Sequence, residues 1–383
     1  MMKKIIGAIG VLAISFFSSY AQDHGLEKWQ KGIVSEQFVY EKADFPSCHS
    51  ATLAETSPGE LVYAFFGGTR ERHPDVEIYV SKYKDGQWSH PKSAADGIDT
   101  DGTRYPTWNP VLFQIPDGDL LLFYKVGPKP SEWWGMLKRS KDGGETWSEA
   151  EKLPEGILGP IKNKPILLDN GNLIAPSSTE GNGWHIHFEV SPDLGKTWYK
   201  VGPIERGDDD MDAIQPSILD HGKGKLQILA RTRNWALATA WSYDYGETWT
   251  PLEKSGLPNN NSGTDAVTMK NGQHVLVYNH VLPPPEHPKG KRTPLNVSVS
   301  KNGKDWDAVL ILEDSPISQY SYPAVIQTQD GLLHFAYTWR REKMKHVVVN
   351  PKKWKKRKIK KGEWPKVKGY IQPEMEEYIP EEK

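Results

Sequence analysis

One eight-residue pattern occurs three times in this chain and limits the possible folds more than any other feature. The pattern S-x-D-x-G-x-T-W occupies residues 140–147, 191–198 and 242–249, and looser copies lie at 81–88 and 300–306. Successive copies are about 50 to 60 residues apart, close to the length of one propeller blade. In such a segment the serine ends a strand, Asp and Gly form the turn, and the Trp begins the next strand. The pattern therefore predicts one structural hairpin per repeat.

A second shared segment precedes the boxes and predicts an inner strand in each repeat. Six copies align, at residues 49–53, 109–113, 164–168, 215–219, 265–269 and 322–326. The chain has 15 tryptophans, 34 glycines and 29 prolines, with short apolar runs between Gly, Asp and Asn turns, which is typical of an all-β protein. Six inner strands predict an all-β, six-bladed β-propeller of four-stranded blades. The last blade lacks a box, so we expect an N-terminal strand near residues 33–40 to complete it and close the ring.

The two ends of the chain differ from the propeller between them. A basic start, an apolar run over residues 5–17 and a small-residue stretch ending at Ala21 predict a signal peptide over residues 1–21. The apolar run is about 13 residues long, which is too short for a membrane-spanning helix. We expect the propeller to occupy residues 22–350, and a basic, then acidic, extension to occupy residues 351–383. The predicted location is the periplasm or the medium, with no membrane span.

Charge and cysteine content exclude several classes of protein. Lys+Arg 48 against Asp+Glu 49 argues against a nucleic-acid binder that works by bulk charge. Cys48 is the only cysteine, so packing rather than disulfide bonds must support the fold. His185 and His187 would share one strand face, but no third ligand is in view, and neither a metal nor another cofactor is expected. The lysine-rich start of the extension predicts a solvated segment, with weak attraction to a polyanionic glycan as the alternative.

On these repeats the chain resembles the sialidase superfamily, and more closely its BNR-repeat, sialidase-like branch, in which the repeated pattern is the Asp box. The resemblance covers nearly the whole predicted propeller and implies three arginines that grip a carboxylate, a Tyr–Glu nucleophile and a loop Asp as acid/base. Arg231, in Leu-Ala-Arg-Thr-Arg, and Arg292 match two of the arginines. Tyr320 matches the position of the nucleophile, and Asp75 that of the acid/base.

Two positions depart from the sialidase pattern. His49 stands in Phe-Pro-Ser-Cys-His, where sialidases have the first arginine, and Gln215 stands where the glutamate that activates the tyrosine would be. A Gln amide cannot accept the proton of a tyrosine nucleophile. Arg70, or the pair Arg340–Arg341, follows a predicted second strand and is a candidate to replace the missing arginine.

Two arginines that face one pocket still fit a carboxylate, because the guanidinium fork matches it at two points. We therefore expect an acidic oligosaccharide substrate. In a uronic acid the C5 proton lies next to the carboxylate, so neutralising that charge makes β-elimination possible. Tyrosine and histidine suit such proton transfers. The candidates are His49, His280, Tyr320 and Tyr322, with Asp75 as a further proton donor and Trp134 as a surface for stacking sugar rings.

The sequence leaves three functions open. We favour elimination at a uronate, by a lyase or dehydratase. The alternatives are a sialidase-type exo-glycosidase, in which Arg70 or His49 replaces the lost arginine, and a glycan-binding propeller without catalytic activity.

Overall fold

The short apolar runs between glycine-containing turns form antiparallel sheets, as the sequence predicted. A computed structural model describes residues 24–282, 290–316 and 319–374, so the predicted signal peptide lies outside the described residues. The chain order begins with a 3₁₀ turn at Leu26–Trp29 and strand β1 at Ile33–Phe38. Among the described residues, no helix has the length and apolar character needed to span a bilayer.

Six antiparallel sheets form the blades of a β-propeller, which confirms the predicted fold class. Blades one and two contain β2 (Ser47–Ser57), β3 (Glu60–Gly68), β4 (Glu77–Lys84), β5 (Gln87–Trp88) and β6 (Lys92–Ala95), then β7 (Thr107–Gln114), β8 (Leu120–Val126), β9 (Trp134–Ser140) and β10 (Glu151–Lys152). Blades three and four contain β11 (Ile166–Leu167), β12 (Leu173–Gly181), β13 (Gly183–Ser191) and β14 (Tyr199–Val201), then β15 (Ala213–Asp220), β16 (Leu226–Thr232), β17 (Ala236–Ser242) and β18 (Glu253–Pro258).

The last two blades are assembled from distant parts of the chain. They contain β19 (Asp265–Thr268), β20 (His274–Tyr278), β21 (Leu295–Ser300) and β22 (Trp306–Glu313), then β23 (Tyr320–Gln327), β24 (Leu333–Trp339) and β25 (Lys343–Val349), and finally β26 (Arg357–Lys358). Strand β1 pairs with β25, from Ile33 opposite Val349 to Phe38 opposite Lys345. The N-terminal strand therefore completes blade six, as predicted, and closes the ring.

The Asp boxes join each blade to its neighbour. In blade four, Ser242 Oγ donates to Asp244 Oδ1 at 2.8 Å, and the same carboxylate oxygen accepts from Thr248 N at 2.9 Å. Gly246 has φ 87°, a conformation that favours glycine. The ring of Trp249 stacks on Phe188 of blade three at a centroid distance of 4.2 Å. The box is thus a structural element, because its Trp packs in the apolar layer between two blades.

The described part of the C-terminal extension packs on blade five. Strand β26 pairs with β22, where Lys358 lies opposite Asp307. Farther along, the Trp364 ring lies 5.2 Å from the ring of the fully buried Trp29. The extension adds a fifth strand to this blade, while most of its lysines remain exposed.

Candidate active site on the propeller axis

Four inner strands carry a β-bulge at the same position. The bulged residues Ser50, Asn109, Gln215 and Tyr322 have φ between 35° and 63°, and the strand register shifts at each of them. Positive φ is strained for residues other than glycine, and bulges re-aim side chains next to active sites. The bulges also correct the sequence alignment in blade one, because Ser50, not His49, is equivalent to Asn109.

Tyr322 is the residue on which the polar side chains converge. Its hydroxyl accepts a hydrogen bond from Arg231 Nη1 at 2.7 Å and lies 3.4 Å from Gln215 Nε2. Three cationic groups face its ring, with Arg292 at 5.6 Å from the centroid, and Arg231 and Lys162 both at 5.7 Å. The side chain of Tyr322 therefore lies among three cationic groups.

Arg231 is almost fully engaged with protein groups. Its Nη1 also donates to Gln215 Oε1 at 3.3 Å, while its Nη2 donates to Asn261, both to the backbone oxygen and to Oδ1, the latter at 2.8 Å. The guanidinium thus holds Tyr322 in place. The sequence assigned Arg231 to a substrate carboxylate, but here its two Nη atoms are bonded to the protein.

His49 lies against the ring of Tyr322, at a centroid distance of 4.2 Å. Its Nδ1 is 2.9 Å from Thr338 Oγ1 in blade six, and its buried Nε2 has no hydrogen-bond partner among the described residues. Burial lowers the pKa of His49 well below its usual value, and the cations Arg341, Arg292, Lys162 and Arg231 lower it further. His49 is therefore neutral at physiological pH.

Arg292 and Arg341 add two guanidinium groups to the pocket. Arg292 Nη1 donates to Gln319 Oε1 at 2.9 Å, and Arg341 Nη1 contacts Glu71 Oε2 at 2.5 Å. Burial lowers the pKa of Arg292 to about 10, and repulsion from Arg341 and Arg231 contributes. Burial alone would raise the pKa of Glu71, but Arg341 and other arginines outweigh it and keep that pKa low. The Arg341–Glu71 pair is thus charged, and Glu71 also offsets part of the repulsion that acts on Arg292.

Lys162 ties three blades together beneath this pocket. Its buried Nζ donates to Asn163 Oδ1 at 2.8 Å, to the backbone oxygen of Thr264 at 2.9 Å and to that of Pro323 at 2.6 Å. Three acceptors satisfy all three protons of an ammonium group. Burial lowers the pKa of Lys162 to about 7, and Asp265 opposes that effect. Because Pro323 follows Tyr322, this contact fixes the bulge that carries the tyrosine.

Trp184 and Glu180 form one wall of the site. The Trp184 ring lies under Arg231 at 5.1 Å and under Arg233 at 4.1 Å. Glu180 pairs with Trp184 across the β12–β13 hairpin. Burial raises the pKa of Glu180, although Arg231 and Arg233 partly offset the effect. The wall therefore combines an aromatic face with a carboxyl group that gains a proton more readily than an ordinary glutamate.

Tyr320 and Arg340 do not join this cluster. Tyr320 is 1% exposed and belongs to the apolar core between blades five and six. Its hydroxyl accepts a hydrogen bond from Arg340 Nη2 at 3.4 Å. The bulge at Tyr322 breaks the strand alternation, so the axial tyrosine lies two residues beyond the one that the sialidase pattern indicated. Arg341, not Arg340, contacts Glu71.

The other predicted residues make contacts with groups other than Tyr322. His280 bonds Tyr278 Oη at 2.5 Å and the Gly362 backbone oxygen at 2.9 Å, and so joins blade five to the extension. The half-exposed Asp75 accepts a hydrogen bond from Thr69 Oγ1 at 2.6 Å and forms an ion pair with His73 at 2.7 Å. Asp75 and the exposed Arg70 share the loop that carries Glu71. Trp134 packs edge-on against Tyr105 at 5.3 Å, under the amine of Lys152.

Sequence reasoning missed Lys162, Glu71 and Glu180, and considered Arg341 only within the pair Arg340–Arg341. One signal would have indicated most of them. Glu71, Glu180 and Arg341 lie at or just beyond the end of the second strand of their blades, like Arg231 in blade four. Charged residues at that position in a propeller lie at the same end of the ring as the start of the inner strands.

A metal site is not supported within the described ranges, which contain no group of three or more suitable His, Cys, Asp or Glu side chains. His187 Nε2 bonds the buried Glu189 at 2.9 Å, whereas His185 Nε2 bonds the backbone oxygen of Asn182 at 2.8 Å. The two histidines are therefore used separately.

Comparison with known proteins agrees with this architecture. A family model described as a BNR repeat-like domain matches residues 59–335. The chain belongs to this BNR repeat-like family. The match covers most of the propeller and confirms the resemblance to sialidase-like BNR-repeat proteins. No curated protein sequence matches the chain.

Several solved structures share the fold of this BNR repeat-like protein. A protein of unknown function from Dyadobacter fermentans has a TM-score of 0.66 and 18% identity, over 84% of this chain and 99% of that one. The NanB sialidase from Streptococcus pneumoniae has a TM-score of 0.63 and 15% identity, over 83% of this chain and 71% of that one. The intramolecular trans-sialidase from Ruminococcus gnavus has a TM-score of 0.64 and 14% identity, over 84% and 98%. At these identities the likeness shows the fold alone.

Proposed function

We propose that this BNR repeat-like protein is a glycan-processing enzyme that acts on an acidic oligosaccharide by β-elimination at a uronate, with Tyr322 as the proton-transfer group. One observation carries the proposal. The Tyr322 hydroxyl is held at 2.7 Å by Arg231, inside a pocket whose other cations are Arg292, Arg341 and Lys162.

An anionic ligand suits the charge of this pocket. Arg341 is balanced by Glu71, and burial raises the pKa of Glu180. Arg292 lies among cations that lower its own pKa, so a carboxylate next to it would relieve their mutual repulsion. Arg292 and Arg341 are thus the groups that we assign to the substrate carboxylate, with Arg231 reserved for Tyr322.

The elimination follows from these positions. Pairing of the uronate carboxylate with arginine makes its C5 proton more acidic, and the Tyr322 oxygen accepts that proton after its own proton has passed to solvent. The C4–O bond breaks as the C4–C5 double bond forms. The leaving oxygen then takes a proton from the Tyr322 hydroxyl, so one residue serves as base and then as acid. His49, which stays neutral, packs against the tyrosine ring and adds no charge that would compete for the carboxylate.

The partners of Tyr322 favour elimination over hydrolysis through a tyrosine nucleophile. The hydrolytic route needs a carboxylate base that takes the phenol proton while the tyrosine attacks. Here the hydroxyl faces Arg231 and the amide of Gln215, neither of which accepts a proton. The same cations would still stabilise a tyrosine anion, so hydrolysis of a sialoside is a second candidate. The convergence of Arg231, Arg292 and Arg341 favours that candidate.

One assay separates the alternatives. The protein is incubated with uronate oligosaccharides and with sialosides, while the ultraviolet absorbance of an unsaturated sugar and the release of free sialic acid are followed. Absorbance without sialic acid supports elimination, and sialic acid release without absorbance contradicts it in favour of hydrolysis. Binding of either sugar with no product would indicate a glycan-binding protein instead.

A further inference from the structure

We propose a second binding site, for an acidic polysaccharide, on the outer side of blades four and five where the C-terminal extension packs. It is separate from the axial pocket and does not depend on the reaction catalysed there. Its basic residues come from the Asp-box turn of blade five and from the extension, whose lysines have no role in the proposed catalysis.

The centre of this site is a cleft of about 410 Å³ between the outer strands of the two blades. Three lysines line it, namely Lys304 from the box turn and Lys358 and Lys361 from the extension, and its other lining residues include Asp305, Trp306 and the segment 255–257. Lys304, Lys358 and Lys361 are all exposed, and the Lys358 amine also lies 3.4 Å from Asp307.

An aromatic surface continues from the cleft through Lys304. The Lys304 amine lies 5.4 Å from the Trp241 ring, and the Lys225 amine lies 4.9 Å from the same ring. Lys225 also lies 5.6 Å from the ring of Tyr243, which is 66% exposed. Trp241 itself is buried, so the exposed ring of Tyr243 offers the stacking face, and the Lys225 amine beside it offers an ionic partner for a sugar that carries anionic groups.

The lysines of the extension are held in place rather than carried by a free tail. Strand β26 pairs with β22, and the Arg357 guanidinium lies over the Trp29 ring at 4.3 Å. Trp364 packs against the other side of this small core. Fixed positions reduce the conformational entropy that a ligand must overcome, which a flexible basic tail would not achieve.

The charge on this side of the molecule favours a polyanion. A second small cleft, next to Lys301, includes Gln273, whose Oε1 accepts a hydrogen bond from Lys356. Lysines therefore occur on both sides of β26, while the nearby Asp307 is occupied by Lys358 at 3.4 Å. A row of amines suits a chain that bears a carboxylate or sulfate on successive sugars. The whole chain has a net charge of -1, so this attraction is local.

The second site lies at a different part of the blade from the catalytic pocket. Arg231 is near the end of the second strand of blade four, whereas an Asp-box turn follows the third strand of its blade. Because the second and third strands are antiparallel, Arg231 and the box turn lie at opposite ends of the sheet. The outer strand is also three strand spacings from the inner one, roughly 14 Å. A polysaccharide held at the outer side would therefore leave the axial pocket open to its chain ends.

The test measures the affinity of the full chain for polygalacturonate, dextran sulfate and neutral dextran by affinity electrophoresis. The variant Lys304→Gln/Lys358→Gln/Lys361→Gln is compared with Lys42→Gln/Lys141→Gln/Lys196→Gln, which removes three exposed lysines from other blades. We expect the first set to weaken binding of one or both polyanions about tenfold, since each exposed ionic contact contributes modestly. The second set should change it by less than about twofold. Tyr243→Ala should weaken binding of the same sugars.

Several outcomes would overturn the proposal. If both triple variants weaken polyanion binding equally, the binding depends on overall charge and not on this site. If neutral dextran binds as tightly as the polyanions, the lysines do not contribute to binding. Tighter binding of double-stranded DNA or of anionic lipid vesicles would indicate another class of partner. Loss of binding in Tyr322→Phe would place the polysaccharide in the axial pocket. A failure of the axial enzyme assay leaves all these measurements unaffected, so the two proposals fail separately.

Discussion

Arg231 donates a hydrogen bond to the hydroxyl of Tyr322 across the propeller axis, at 2.7 Å, from blade four to blade six. The same guanidinium also bonds Gln215 and Asn261. Tyr322 is therefore held by a cation where a sialidase-type tyrosine would need a carboxylate base. This relationship decides which chemistry the pocket favours and leads to the first prediction.

Replacement of Tyr322 by Phe should lower kcat by at least about a hundredfold, the usual contribution of a positioned acid or base. Tyr320→Phe is the matched control, because it removes the hydroxyl of a core tyrosine that accepts a hydrogen bond from Arg340. It should retain kcat within about threefold, with a small loss of stability. Steady-state rates on a uronate oligosaccharide check both. If Tyr320→Phe lowers kcat more than Tyr322→Phe does, the catalytic tyrosine is Tyr320, as the sialidase resemblance indicated.

Removal of Arg341 should raise KM for the acidic substrate and also destabilise the fold. The substitution Arg341→Ala leaves Glu71 without its charged partner, and for this partly exposed pair we expect a loss of about 1 kcal/mol in the free energy of unfolding. In the double variant Arg341→Ala/Glu71→Gln, the free energy of unfolding should return toward the parent value, whereas KM should stay raised. Urea unfolding and kinetics on the single and double variants separate the two effects. Recovery of KM in the double variant would show that Arg341 acts only through Glu71.

Glu180 should make the affinity for an acidic ligand depend on pH. Its pKa is raised because it is buried, so below that pKa the carboxyl is neutral, and above it the carboxylate repels an anion near Arg231. Affinity should therefore fall as pH rises through the pKa of Glu180. Glu180→Gln should bind as tightly as the neutral form at every pH. Calorimetric titration of a non-cleaved uronate analogue from acidic to neutral pH tests this, and a similar fall in Glu180→Gln would assign the effect to another group.

The Asp boxes should make stability sensitive to acid. Hydrogen bonds from Thr146 hold the pKa of Asp142 below its usual value, and those from Thr248 outweigh burial to do the same for Asp244. A lowered pKa in the folded state means that this stabilisation is complete above about pH 4, the unfolded value, and is lost as pH falls further.

Asp244→Ala should therefore cost about 1–2 kcal/mol at pH 7, and the difference from the parent protein should shrink at pH 3. Asp208→Ala, at an exposed position, is the control and should change stability little at either pH. Urea unfolding at the two pH values measures these differences. A constant difference for Asp244→Ala would mean that the box stabilises through packing rather than through the carboxylate.

Local patterns decided the fold of this protein. The three full boxes, with their Asp and Gly turns, specify hairpins by interactions within eight residues, and their spacing counts the blades. Closure by the strand at Ile33–Phe38 also follows from the sequence, because an unpaired outer edge in blade six has one strand left to pair with it. Short-range chemistry and a regular period are enough for this level of structure.

The site depended on relationships that no local pattern contains. A bulge at Tyr322 moved the axial tyrosine two residues from the position that the sialidase resemblance indicated, because the positive φ there interrupts the strand alternation. Arg341 meets Glu71 only when blade six closes against blade one.

The sequence by itself determined that this chain forms a six-bladed propeller of the BNR-repeat type. Only the tertiary structure decided that Arg231 holds Tyr322, that Lys162 fixes the bulge from below, and that the basic extension packs on blade five. Residues of different blades are brought together by ring closure, and their contacts depend on bulges and strand ends that differ by one or two residues. Those small offsets change which side chain faces the axis, and therefore which chemistry the pocket supports.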